Sequence, residues 1–250
     1  MNIAENKIII SAEKYFHENK RILVILAHPD DPEFFCGATL AQWALDGNEI
    51  AYCLMTKGDK GTNEQNHSNH QLPCLRIAEQ RKAAAVIGVK DITFLNNPDG
   101  YLQPTLDVRK QIVRVIRQKK PNIVVSCDPT NYYMRDIYIN HPDHRAAGQA
   151  VIDAVFPAAQ NPDFFPELQV DEGLEPHHVE EVWLSLPKES NIIFDVTNTW
   201  TMKISALHQH KSQIGDPQQF NQRMLERRAE GSSIEDPRFE ESFLRIILRK

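Results

Sequence analysis

Short runs of branched apolar residues recur along this chain, each followed by a stretch with helical spacing, and this alternation constrains the fold most. "RILVILAH", "NEIAYCLMT", "DITFL" and "NIVVS" are brief and almost continuously apolar, the signature of strands covered on both faces. Between them lie "GATLAQWALDG", stopped at Gly47, "LPCLRIAEQRKAAAVIG", closed by Gly88, and "TLDVRKQIVRVIRQKK", stopped by Pro121. "RAAGQAVIDAVF" follows the last of these strands as a further helix. Strands alternating with helices at this pitch predict an α/β fold of βαβ units on a mostly parallel sheet.

Beyond about residue 157 the pattern weakens. "PAAQNPDFFPELQVDEGLEPHH" is rich in proline and acids and reads as a long surface excursion. "VEEVWLSL" and "NIIFDV" are expected strands that pair with each other across the turn "PKES". "TWTMKISALHQHKSQI" and "PQQFNQRMLERRAE" are expected helices, and the N-terminal "MNIAENKIIISAEKYFHENK" is expected to form an amphipathic helix. With no repeat, low-complexity tract or linker, the expectation is one domain across residues 1–250 with an elaborated C-terminal half.

A chain of 250 residues can bury one substantial core. Its net charge of -6 supplies no basic footprint for nucleic acid. No stretch approaches the roughly 20 apolar residues of a membrane span, and the N-terminus lacks a signal peptide's apolar region. Cys36, Cys53, Cys74 and Cys127 form no CxxC pair and are expected to be reduced, which points to the cytoplasm.

Chemistry concentrates where strands end. "AHPDDPEF" puts His28, Asp30, Asp31 and Glu33 directly after the first long strand, and "HPDH" puts His141, Asp143 and His144 after the loop that follows "NIVVS". Open parallel sheets bind ligands outside the carboxyl ends of their strands, so the two clusters converge if those strands are neighbours at a switch point. Taken singly, HPD or DPE is a turn or a helix cap. Taken together, two histidines and an aspartate with an open fourth position make a catalytic zinc site. Asp30 then stands beside the metal's water as general base. Adjacent aspartates repel unless a cation holds them, which the same ion explains. Glu33 is expected to cap the next helix or brace the ligand loop. His67 and His70 are expected in a solvated loop, and His177 and His178 at the surface.

"AHPDDPEF" with "HPDHRAAGQA" closely resembles the PIG-L/LmbE-like family of zinc-dependent de-N-acetylases. "TKGDKGT", "LRIAEQRKAAAVIGV", "FLNNPDG" and "LHQHKSQ" extend the resemblance over about residues 21 to 215. It implies a Rossmann-like sheet and hydrolysis of the acetamide of an N-acetylglucosamine-type compound, a small-molecule amino-sugar substrate. One zinc ion per chain would be held by His28, Asp31 and His144, with Asp30 as base. His141 would stabilise the oxyanion or protonate the leaving amine, kept charged by Asp143 at its far ring nitrogen. Arg76, in the R-x-x-E helix with Glu79, would contact substrate, and His210 or His208 would approach the pocket from the C-terminal helix, His210 being preferred. Relatives often assemble as homotrimers or hexamers. Some carry a tyrosine where Ile139 stands here, and Tyr132, Tyr133 and Tyr138 are the nearby candidates to replace it. The aglycone is not selected by any residue pattern. Two other readings compete: a metal-dependent amidase on another acylated substrate, and a Rossmann-like nucleotide-binding module. Against the latter, neither G-x-G-x-x-G nor GxxxxGK[ST] occurs. Nor does a G-x-S-x-G elbow for serine catalysis.

Overall fold

The computed structural model describes residues 8–10, 15–61, 71–134 and 138–249. The first part of the chain runs β1 (Ile8–Ile10), β2 (Arg21–Leu26), α1 (Asp31–Leu45), β3 (Glu49–Thr56), α2 (Gln71–Ile87), β4 (Asp91–Asn97) and α3 (Leu106–Lys119). Next come β5 (Ile123–Cys127), the short strands β6 (Tyr133–Met134) and β7 (Tyr138–Ile139), α4 (Pro142–Asp153) and α5 (Pro166–Val170). The chain then forms β8 (Glu181–Ser185), β9 (Ile192–Asp195), α6 (Trp200–Leu207), α7 (Lys211–Ile214), α8 (Pro217–Leu225) and β10 (Glu240–Ile247). Eight strands make one sheet in the order β1-β9-β10-β8-β5-β2-β3-β4, while β6 and β7 pair as a separate hairpin.

β2 lies between β3 and β5 and is parallel to both. The chain first builds outward through β3 and β4, then returns to the other side of β2, so the switch point lies between β2 and β5. This is the mostly parallel sheet that the strand–helix alternation anticipates, in the Rossmann-like arrangement that the family resemblance implies. Along β2, Ile22, Val24 and Leu26 face one core with α1, α2, α6 and α8, and Leu23 and Ile25 face a second core with α3 and α4. Two buried faces explain why the strand is apolar at every position after Arg21. Each such side chain removed from water contributes roughly 1.5–3 kcal/mol.

Two expectations are corrected by the C-terminal half. β8 and β9 do not pair with each other: β10 lies between them, antiparallel to both. A strand with Glu241 and Phe243 turned inward fills the gap that a simple hairpin would close. At the N-terminus, residues 8–10 are a strand parallel to β9 rather than part of a helix. Three successive β-branched isoleucines favour the pleated conformation when an edge is available. Residues 1–7 and 11–14 of the expected helix lie outside the described residues. The segment "LHQHKSQ" breaks between α6 and α7, leaving His210 at the joint.

Helix α4 packs so tightly on β5 that a Cβ at Gly148 would collide with the carbonyl of Cys127. The missing side chain lets the helix start, with its HPDH sequence, sit at the end of β5. Helix α1 is kinked at Cys36, whose φ of -148° is not helical. The kink frees backbone groups that a buried ion pair satisfies. The Glu241 carboxylate accepts from the amides of Ala38 (3.2 Å) and Thr39 (2.8 Å), and Lys203 Nζ donates to the Phe34 carbonyl (2.9 Å) and to Glu241 (2.6 Å). Among the described residues no helix is long and apolar enough to cross a membrane.

Removing one member of a buried pair strands the other's charge. Lys203→Met should therefore lower the unfolding free energy by roughly 3 kcal/mol. Arg114→Met, which breaks the exposed pair with Glu172, should cost less than about 1 kcal/mol. Urea unfolding followed by circular dichroism measures both; equal losses would deny α1 its dependence on β10.

Candidate functional site

Three loops at the carboxyl ends of the strands meet around His28, which lies two residues past the end of β2 and is 8% exposed. The turn 28–31 is closed by Asp31, whose Oδ2 accepts the backbone amide of His28 at 2.8 Å. Asp31 is also the first residue of α1, where a carboxylate is favoured by the helix dipole. Its two oxygens face two rings: Oδ2 lies 3.4 Å from His28 Nδ1, and Oδ1 lies 3.2 Å from His144 Nε2. His144 is aimed there because its Nδ1 pairs with Asn140 Oδ1 at 3.0 Å. The rings of His28, His141 and His144 form a cluster with centroids 4.8 Å (28–141) and 5.2 Å (28–144 and 141–144) apart.

The far side of His28 is as acidic as the near side. Its Nε2 lies 3.1 Å from Asp99 Oδ1 and 3.3 Å from Asp143 Oδ2. Asp143 is held by the amides of Gly100 (2.7 Å) and Leu102 (3.2 Å), and Asp99 by the amide of Lys60 (2.8 Å). Burial alone would strip the charge from His28, but Asp31, Asp143 and Asp99 overcome it and push the ring up to about 12. Asp99 is drawn down to about 2: burial opposes its charge, and His28 with the Lys60 amide outweighs that. Asp31 is held well below the carboxylate range, because the charges of His144 and His28 outweigh its burial.

These donors fit a divalent ion. Ring nitrogens from His28 and His144 with an oxygen of Asp31 are the nitrogen and oxygen ligands such ions take. The ligand atoms of His28, His141 and His144 all lie within 4.8 Å of one another, as do those of His28, Asp99 and Asp143. Three buried carboxylates around one imidazole also leave a surplus of negative charge for a cation to offset.

Asp30 stands beside this cluster in a strained conformation. Its φ of 91° places a residue with a Cβ in left-handed territory, at a cost of about 1–3 kcal/mol. Helix α2 holds it there. Gln80 Oε1 accepts the Asp30 amide at 2.7 Å, and Arg76 Nη2 donates to Asp30 Oδ2 (3.1 Å) and to the Pro29 carbonyl (2.6 Å). Arg76 Nη1 donates to the Gly58 carbonyl, where a Cβ would collide with the guanidinium. Burial pushes Asp30 up to about 6, against the pull of Arg76.

The predicted site residues thus come together, with three changes of place. Asp143 does not hold the far ring nitrogen of His141 with its carboxylate, which is turned to His28 and the amides of Gly100 and Leu102. Instead the Asp143 backbone amide donates to His141 Nδ1 at 3.1 Å, and burial with the charges of His28 and His144 lowers the His141 pKa. His141 thus accepts at Nδ1, and the lowering of its pKa opposes the charge expected of it. His210 does not reach an open pocket: it is fully buried, its Nε2 3.1 Å from Glu33 Oε2. Arg76 is 3% exposed and directed at Asp30. His208 pairs with Asn221, and His177 and His178 are half-buried against Pro121 and Gln160. His67 and His70 lie outside the described residues.

Sequence reasoning missed Asp99, Gln80 and Asn140. "NPDG" reads as a turn, and nothing local tells that β4 carries it to His28. Gln80 is legible only as the neighbour of Glu79 on the buried face of α2. A cavity of about 500 Å³ opens beside His144, walled by Phe34, Phe35, Tyr138, Trp200 and β10. Of the three tyrosines near position 139, Tyr138 is the one that lines it.

Comparison with known proteins agrees with this geometry. Diacetylchitobiose deacetylase of Thermococcus kodakarensis is 34% identical over 210 residues, covering 84% of this chain and 76% of that protein. A probable N-acetyl-alpha-D-glucosaminyl L-malate deacetylase 2 of Bacillus anthracis is 26% identical over 78% of this chain and 82% of its own length. The solved structure of N,N'-diacetylchitobiose deacetylase from Pyrococcus horikoshii superposes with a TM-score of 0.82 at 30% identity, over 92% of this chain and 85% of that one. Residues 23–155, which contain both histidine segments, match the family described as PIG-L: GlcNAc-PI de-N-acetylase, and this chain belongs to that family.

Proposed function

We propose that this protein hydrolyses the acetamide of an N-acetylglucosamine-type compound, releasing acetate and a free amine, with one zinc ion per chain. The observation that supports this reading is that the Asp31 carboxylate faces the rings of both His28 and His144, with Asp30, its pKa pushed up to about 6, beside them. His28 Nδ1, an oxygen of Asp31 and His144 Nε2 would hold the ion. A divalent ion held there supplies Lewis acidity, polarising the acetyl carbonyl and acidifying water.

This chain's own groups account for the protons. Asp30, ionised above about pH 6, accepts a proton from the attacking water at its carboxylate. The C–N bond breaks as Asp30 returns that proton to the sugar nitrogen, so the amine leaves neutral and the base is regenerated. His141, with Nδ1 occupied by the Asp143 amide, offers Nε2–H to the developing oxyanion. Asp99 and Asp143 accept a hydrogen bond from His28 Nε2–H, which leaves Nδ1 as the nitrogen that would face the ion. The cavity beside His144 receives the remainder of the substrate, its aromatic walls suited to the apolar face of a second sugar ring.

Zinc-loaded protein should release acetate and free amine from N,N'-diacetylchitobiose, and absence of both would defeat the assignment. Asp30→Asn should keep its zinc and lose roughly 10²–10⁴ in kcat. A variant within a few-fold of the parent rate would remove Asp30 from the base role. Zinc affinity should also climb with pH. In the metal-free protein His28 holds its proton up to about 12, whereas a ligand must be unprotonated, so the ion competes with that proton. One displaced proton makes affinity rise about tenfold per pH unit through neutrality. Competition with a chelating indicator, repeated across pH, would show a flat profile if His28 carried no proton.

A further inference from the structure

We propose that Gln80 is the positioning residue for Asp30, and that a buried relay, His210 to Glu33 to Gln80, sets the direction in which the Asp30 carboxylate points. The inference rests on Asp30 being the base. Its starting point is the backbone of Asp30, which at φ 91° stays in place only if neighbours over-determine it. The Asp30 amide is fixed by Gln80 Oε1 at 2.7 Å. The orientation of that amide group is not optional. Gln80 Nε2 donates to both oxygens of Glu33, at 2.9 and 3.0 Å, so a flipped side chain would set oxygen against carboxylate and NH₂ against N–H. Glu33 is itself held by His210 Nε2 at 3.1 Å. Gln80, Glu33 and His210 are all 0% exposed, so water cannot substitute for any member.

The relay joins the joint between α6 and α7, helix α1 and helix α2 to the loop after β2. The same helix α2 is tied to α7 by a second connection that does not reach Asp30. Ser212 donates from its amide (3.0 Å) and its hydroxyl (2.6 Å) to Glu79. That bond is an internal control: it is a structural link between the same elements without the contact to the base.

The test is steady-state kinetics of the zinc-loaded full chain on N,N'-diacetylchitobiose, with zinc content measured for each variant. Gln80→Leu should lower kcat roughly 100-fold, the effect of an ångström-scale misplacement, with KM and zinc content unchanged. Ser212→Ala should unfold at lower temperature yet keep the parent kcat. In the Asp30→Asn background, Gln80→Leu should cause no further loss, because it acts only through Asp30. Parent-like kcat in Gln80→Leu, an equal fall in Ser212→Ala, or an added loss on top of Asp30→Asn would each overturn the proposal. Should Gln80→Leu fail to fold, His210→Leu and His210→Gln decide. The first should lose kcat and the second, which keeps a donor for Glu33, should recover it; equal rates overturn the relay. If Asp30→Asn itself retains the parent rate, the base reading has failed and the relay falls with it. If Asp30→Asn is inactive while Gln80→Leu is not, only the relay has failed.

Discussion

Three buried carboxylates, Asp31, Asp99 and Asp143, converge on the single ring of His28, and the protein must set a cation among them. Desolvated charge of one sign is too costly to leave alone. Backbone amides absorb part of it: His28 N on Asp31, Lys60 N on Asp99, and Gly100 N and Leu102 N on Asp143. Those amides belong to the loops after β2, β3 and β4, so the charges that attract a metal also pin the loops that surround it. Loop structure and metal affinity are therefore one energetic unit. A proton on His28 supplies the balancing charge, and a metal ion bound there would have to displace it.

The chain after residue 155 lies beyond the segment that matches the family, yet it builds the support for the same site. Glu241 of β10 and Lys203 of α6 close the kink in α1, the helix that begins with Asp31. His210 steadies Glu33, two residues further along α1. Helix α2 approaches from the other side with Arg76, Glu79 and Gln80, whose spacing of three and four residues places them on one buried face. The first turn of α1 is thus gripped by elements that are far apart in sequence. That is why a strained Asp30 can persist at its start.

The parts of this arrangement that follow from local rules were legible in the sequence. Continuous apolar runs mark strands with two buried faces, and β2, β3 and β5 obey that rule. The meeting of residues 28 and 144 was conditional in the sequence on two strands being neighbours, and β2 and β5 are neighbours. β10 was not legible, because "EESFLRII" places charged residues at strand positions and its inward Glu241 makes sense only beside the kink it caps. The supposed pairing of β8 with β9 failed for the same reason, since the missing strand lies between them. Asp99 and Gln80 were hidden differently. Each sits in a segment with a sufficient bland explanation, a turn and a helix face, and acquires its role only through contacts from elsewhere.

The HPDH segment shows how a motif can be placed correctly and its internal wiring misjudged. An aspartate two residues after a histidine suggests a carboxylate that props the imidazole. At a helix N-terminus the backbone intervenes first: His141 is the N-cap, and its Nδ1 takes the free amide of Asp143 as capping side chains do. With Nδ1 accepting, a neutral ring carries its proton on Nε2; burial disfavours a second proton, and a metal ion nearby would disfavour it further. A neutral imidazole can donate a hydrogen bond to an oxyanion but is a poor acid toward an amine. In the proposed reaction the proton taken from water would then stay on Asp30 until the amine leaves. A carboxylate pushed up to about 6 suits both halves of that task, being ionised enough to accept and acidic enough to return the proton. The strain at Asp30 and the scaffold around it would suit a group that, on the proposed reaction, acts twice from one position.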